Sequence, residues 1–124
     1  LRLLLDTHAL LWWLADEELT SEARVLIANP ENAVTVSAAS AWEISIKQAL
    51  GKLTAPDDLD QQILASDFAS LPISIGHAMA AGRLPRHHDD PFDRMLIAQA
   101  QLEELTIVTR DKRFSDYDVQ VAAA

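Results

Sequence analysis

Cysteine is absent from the 124 residues, which excludes a disulfide framework, thiolate chemistry and thiolate-held zinc or iron. Any metal in this chain must be held by oxygen or imidazole. Long apolar runs are missing as well. No segment is long enough to span a bilayer, and Asp6 interrupts the N-terminal apolar run too early for a signal peptide, so a cytoplasmic location without membrane attachment is expected. Positive charge is scarce: 10 Lys and Arg stand against 19 Asp and Glu, a formal net charge of −9. Phosphate binding normally needs clustered bases, so this balance argues against a large basic nucleic-acid surface. With three Gly, five Pro and no low-complexity run, the chain is not of the disordered class. Its length suits one domain over residues 1–124 with a single buried core.

What is present begins at the first residues. Leu1-Arg2-Leu3-Leu4-Leu5-Asp6 is a short apolar run that stops on a carboxylate, the pattern of a buried parallel strand with an acid at its exit. In open α/β sheets ligands bind outside the carboxyl ends of the strands, so Asp6 stands where chemistry is expected. Capping the next helix is its other reading. Residues 8–15 read as a helix apolar almost all round. Trp12 and Trp13 point about 100° apart on it, so either one of them faces a partner or both lie at the core edge. A helix over 20–29 and a strand over 33–36 follow.

Residues 37–53 carry the clearest helical pattern, with Ala39, Trp42, Ile46, Ala49, Leu50 and Leu53 on one expected buried stripe and Glu43 at its edge. Glu43 is either turned toward a site or paired with Lys47 in an i,i+4 salt bridge. The spacing then predicts a helix over 57–70, an edge strand over 71–75 because of Pro72, and a short helix over 77–84. A further helix starts near Phe92. On it Asp93, Leu96, Ile97 and Ala100 fall at i, i+3, i+4 and i+7, so the carboxylate shares the apolar face and points inward. Leu105 to Thr109 is a strand followed by Asp111, repeating the apolar-run-then-acid pattern, and 119–121 forms a short last strand.

Strands alternating with helices predict an α/β class, three-layer α/β/α sandwich around a central parallel sheet with the first strand in the middle. Asp6 and Asp111 then share one rim with the helix starts that bear Glu43 and Asp93. Carboxylates gathered so closely repel each other unless a cation is bound, and Mg²⁺ or Mn²⁺ suits an oxygen-only donor set. Such a site suits hydrolysis of a phosphodiester bond.

The motifs Leu3-Leu4-Leu5-Asp6-Thr7-His8, Ser40-Ala41-Trp42-Glu43-Ile44, the segment from Asp90 through Asp93 to Ala100, and Val108-Thr109-Arg110-Asp111-Lys112-Arg113-Phe114 together resemble the PIN domain, most closely the VapC toxins of bacterial toxin–antitoxin pairs. The resemblance covers nearly the whole chain in order. It implies a Mg²⁺-dependent endoribonuclease of the bacterial cytoplasm, a PIN-like fold, a homodimer, a cognate small VapB-like antitoxin, and Asp6, Glu43, Asp93 and Asp111 as catalytic and metal-binding acids. Asp89 and Asp90 leave open which acid of their loop meets the metal. Arg83, Arg86, Arg94, Arg110, Lys112 and Arg113 are the expected contacts to RNA phosphates. His87 and His88 read as solvated loop residues, since no third His sits at ligand spacing. The antitoxin is expected to cover Trp12 and Trp13 and to present a base to the acids. Two alternatives stand beside the nuclease: a catalytically silent PIN-like binding module, and a receiver-type phosphoacceptor domain. The receiver is disfavoured because Asp6 is followed by Thr7-His8 and no Lys follows the last strand.

Overall fold

A computed structural model describes residues 1–124. Five strands, β1 (Arg2–Leu5), β2 (Ala33–Ser37), β3 (Ala69–Leu71), β4 (Thr106–Thr109) and β5 (Gln120–Ala123), form one sheet in the order β3-β2-β1-β4-β5. Every pairing is parallel. The apolar opening strand is therefore central, as a strand buried on both faces must be. Side chains alternate across it: Leu3 and Leu5 enter one core with Val34, Val36 and Val108, whereas Leu4 enters the other with Ile107.

Six α-helices cover the two faces: α1 (Thr7–Ala15), α2 (Ser21–Ala28), α3 (Ala38–Ala49), α4 (Leu59–Ala65), α5 (Ile75–Arg83) and α6 (Pro91–Glu103). Ala9 and Leu10 of α1, Ala23 and Ile27 of α2 and Ile63 of α4 fill the first core. Leu96, Ile97 and Ala100 of α6 fill the second, with Phe114 and Tyr117 from the stretch around a short 3₁₀ turn over Lys112–Asp116. The α/β class and the parallel central sheet are as the sequence predicts.

Two expectations are corrected. The helix expected over 57–70 is only Leu59–Ala65. Asp67 turns the chain with φ 61°, and the edge strand comes early, at Ala69–Leu71. The cause lies downstream, where Ser74 and His77 form a reciprocal capping box. That box starts α5 inside the stretch read as strand, because two orphan backbone N–H groups find partners there. The second correction concerns the inward face of α3. Ala39, Ser40, Glu43 and Ile44 are buried, while Trp42 and Leu50 are 61% and 63% exposed. Glu43 lies within the buried face and not at its edge, because it meets the hydroxyl of Thr7. Trp42 instead packs edge-on against Phe92, with ring centroids 5.4 Å apart.

Candidate active site at the carboxyl rim of the sheet

Each acid reaches the rim by a local device. Asp6 follows β1 and caps α1, its Oδ1 accepting from the Ala9 N–H at 2.8 Å, while its Oδ2 accepts from the Thr109 hydroxyl at 2.5 Å. The capping and the site readings of Asp6 thus describe one side chain. It is buried, and burial raises its pKa above the usual carboxylate range. Glu43 is buried on the first half of α3, where its Oε1 accepts from Thr7 Oγ1 at 2.7 Å and its Oε2 pairs with Lys47 Nζ at 2.5 Å. The expected i,i+4 pair exists, and its ammonium, held in the charged form chiefly by Glu43, stands beside the acids.

Asp90, not Asp93, caps α6: its Oδ1 accepts from the N–H groups of Phe92 and Asp93, and Pro91 occupies the first helical turn. Asp93 is left free to turn into the rim. Burial, then the charges of Asp90, Asp6, Glu43 and Asp111, push its pKa up to about 8. Asp111 behaves oppositely. The Arg113 side chain donates to both of its oxygens, at 3.2 and 2.9 Å, and its pKa is lowered to about 2.

His88 is the residue that the sequence misplaced. Far from being solvated, it is 2% exposed, and its Nε2 lies 3.0 Å from Asp93 Oδ2 and 3.1 Å from Asp111 Oδ2. Ligand atoms of His88, Asp93 and Asp111 all fall within 4.8 Å of one another. No spacing rule finds this residue, because its partners are 5 and 23 positions away in sequence. His87 is exposed, as expected. Thr7, Ser40 and Thr109 were also missed. They are short hydroxyl residues on the segments that bear the acids, and each bonds into the cluster.

The six expected phosphate contacts divide. Arg83, Arg86, Lys112 and Arg113 are exposed, although Arg113 is paired with Asp111. Arg94 is corrected: its guanidinium donates to the backbone carbonyls of Ala81, Leu84, Pro85 and His88, at 2.8 to 3.2 Å. It braces the loop between α5 and α6 and has no fork left for a phosphate. Arg110 is partly engaged, donating to Glu18 and to the Ala124 carbonyl and stacking 4.2 Å above the Trp12 ring. Trp12 and Trp13 are both half-buried, Trp13 against Phe68, so the core-edge reading describes both.

The donor set fits a hard divalent cation. It offers carboxylate oxygens and no sulfur, and Asp93 is displaced first by burial and then by neighbouring like charge, both of which a bound cation would offset. Lys47 pairs with Glu43, Arg113 with Asp111, and the His88 ring stands against Asp93 and Asp111.

Comparison with known proteins bears on the family and the fold. The chain is 35% identical over 65 residues to Ribonuclease VapC16 of Mycobacterium tuberculosis, a match that spans 51% of this chain and 46% of that relative, about half its length. Among solved structures it resembles VapBC2 from Rickettsia felis bound to a promoter DNA fragment, with a TM-score of 0.73 at 15% identity over 99% of this chain and 98% of that one. A toxin–antitoxin complex from Klebsiella pneumoniae matches with a TM-score of 0.65 at 25% identity, covering 96% and 94% of the two chains. FitAcB from Neisseria gonorrhoeae gives 0.70 at 22%, covering 96% and 95%. The family model described as PIN domain matches residues 3–120, which take in all four acid-bearing segments, and the chain belongs to the PIN domain family.

Proposed function

We propose that this chain is a metal-dependent endoribonuclease, the toxin of a type II toxin–antitoxin pair, built as a single PIN domain over residues 1–124. The observation that carries the reading is the convergence of Asp6, Glu43, Asp93 and Asp111, with Asp93 pushed up to about 8 largely by burial and its like-charged neighbours. Membership of the PIN family and the likeness to a VapC ribonuclease support it. Asp6, Asp93, Glu43 and Asp111 would hold Mg²⁺, or Mn²⁺. Bound there, such an ion would supply Lewis-acid charge for phosphodiester hydrolysis and would make water a better nucleophile.

The chain's own residues do the remaining work. Thr109 and the Ala9 N–H hold Asp6 in one orientation, and Thr7 does the same for Glu43. Lys47 and Arg113 stand at the rim, where they offset the phosphate's charge as it approaches an acidic surface. Arg83, Arg86 and Lys112 are the free bases for RNA phosphates on either side of the cut.

A small VapB-like antitoxin is the partner this surface suits. A groove of about 500 Å³ is lined by Leu11, Trp12, Leu14, Leu53 and Pro56, with His8, two residues along the chain from Asp6, among its walls. Apolar side chains would fill the groove, and a base beyond it would reach the acids. Trp42 on α3, Leu50 just after it, and Ile75 and Met79 on α5 are exposed and would supply apolar surface for a homodimer.

The test combines cleavage and binding. RNA incubated with the chain should be cut in Mg²⁺ and left intact in EDTA, and millimolar Mg²⁺ should raise the melting temperature. The stabilisation is about 2.7 kcal/mol at a hundredfold excess over Kd. A Mg²⁺-dependent rise in melting temperature without cleavage of any RNA would favour the silent binding module instead.

A further inference from the structure

The loop between α5 and α6 is built to hold one imidazole. Arg94 donates to four of its carbonyls or their neighbours in α5. From the other side the Tyr117 hydroxyl accepts from the N–H groups of His87 and His88, at 3.1 and 2.9 Å, and donates to the Pro85 carbonyl at 2.6 Å. The His88 ring is fixed edge-on to Phe114, with centroids 5.8 Å apart and planes at 89°. Its two nitrogens have distinct partners. The backbone N–H of Asp90 donates to Nδ1 at 3.1 Å, so Nδ1 carries the lone pair and the ring proton sits on Nε2. That proton faces Asp93 Oδ2 at 3.0 Å and Asp111 Oδ2 at 3.1 Å together.

We infer that His88 is a positioning residue of the acidic site: its Nε2–H spans Asp93 and Asp111 and fixes how their carboxylates present oxygens to a divalent cation, while the ring itself does not ligate. The inference rests on the metal-site reading above and adds a residue to it. Direct ligation through Nε2 would require the ring proton to move to Nδ1, where it would oppose the Asp90 N–H donor. His88 is the side chain that bridges the two carboxylates, which share no direct hydrogen bond. Asp111 is also pulled outward by the exposed Arg113. Hydrogen bonds to ligating carboxylates set metal affinity in this way, and their loss typically lowers it tenfold to a hundredfold.

The experiment uses the full chain and the metals alone. Dissociation constants for Mg²⁺ and Mn²⁺ are measured by calorimetry on the parent, His88→Ala and His88→Gln, alongside melting temperatures in EDTA. His88→Ala should weaken both ions by the same factor, about tenfold to a hundredfold. His88→Gln, which keeps a side-chain N–H donor, should recover part of that. Unchanged affinities in His88→Ala overturn the inference and leave the metal site standing. A loss confined to Mn²⁺ overturns it too, since a nitrogen ligand matters more to the softer ion. A parent that binds neither ion removes the metal-site reading and the inference with it. Because His88→Ala removes a buried side chain, the parent supplies a readout that does not depend on the variant's folding. Nitrogen-15 spectra of its imidazoles in saturating Mg²⁺ should show His88 still protonated on Nε2, and a proton found on Nδ1 overturns the inference.

Discussion

Asp93 is the residue on which charge, burial and chemistry meet. Its pKa stands at about 8 in the folded chain against an ordinary 3.8, so between those values the folded protein keeps a proton that the unfolded chain has lost. Stability linked to this group is therefore fully present below about pH 4 and is lost as pH rises toward about 8. Asp93→Asn keeps the shape and removes the titration. Melting curves in EDTA should show the parent losing stability over that window and the variant losing less, with the variant at least as stable at pH 8. Equal pH dependence in the two proteins would mean that Asp93 is not the group whose proton affinity is raised on folding. Asp111 moves the opposite way. Its low value, about 2, comes first from Arg113, so stability from this pair is present above the ordinary 3.8 and fades as pH falls toward 2. In Arg113→Ala a carboxyl carbon titration should find Asp111 moved back up, and no movement would assign the shift to His88.

At the scale of elements, α6 is organised by three side chains near its start. Asp90 caps it, Asp93 turns into the rim, and Arg94 reaches back to tie down the preceding loop. The sequence showed the inward direction of Asp93 because that follows from helical spacing. It could not show which bases are free, since an arginine bound to four carbonyls reads like any other. Arg94→Met should therefore lower the melting temperature and speed amide exchange over residues 84–90. It should leave the salt dependence of RNA binding unchanged. Neutralising Arg83, Arg86 and Lys112 together should flatten that dependence, because each phosphate contact contributes to the slope. A flattened slope in Arg94→Met would return that residue to the RNA surface. Around α3 the apolar spacing alone pointed to Trp42 and to Leu50, just past the helix, as core. The buried face was decided instead by the partner that Glu43 finds in Thr7, a contact 36 residues apart.

Across the whole molecule the sheet separates two cores, one on each face, where the length of the chain suggested one. Leu4 lies in one and Leu10 in the other, both fully buried. Leu4→Ala and Leu10→Ala should each cost about 2 to 5 kcal/mol. The double variant should show the sum to within about 0.5 kcal/mol, because the two sites share no packing partner. Denaturant unfolding measures this, and a clear shortfall from additivity would mean that the sheet transmits strain between its faces. The same sheet accounts for an acidic chain with a concentrated site: strands running one way deliver Asp6 and Asp111 to a single rim, and the helices that cover the two faces bring Glu43 and Asp93 to meet them. The receiver-type alternative does not survive membership of the PIN family.

The sequence by itself determined the alternation of strands and helices, the central place of β1 and the acids at strand exits and on an inward helix face. Those follow from local periodicity and from where a parallel sheet ends. Only the tertiary structure decided which polar groups find each other. His88 is drawn into the site by Tyr117 and Arg94, Arg94 is thereby withdrawn from solvent, and the capping box at Ser74 overrides a β-like stretch. A buried donor or acceptor is costly without a partner, and the partner is chosen by proximity in the folded chain, which spacing along the sequence does not record.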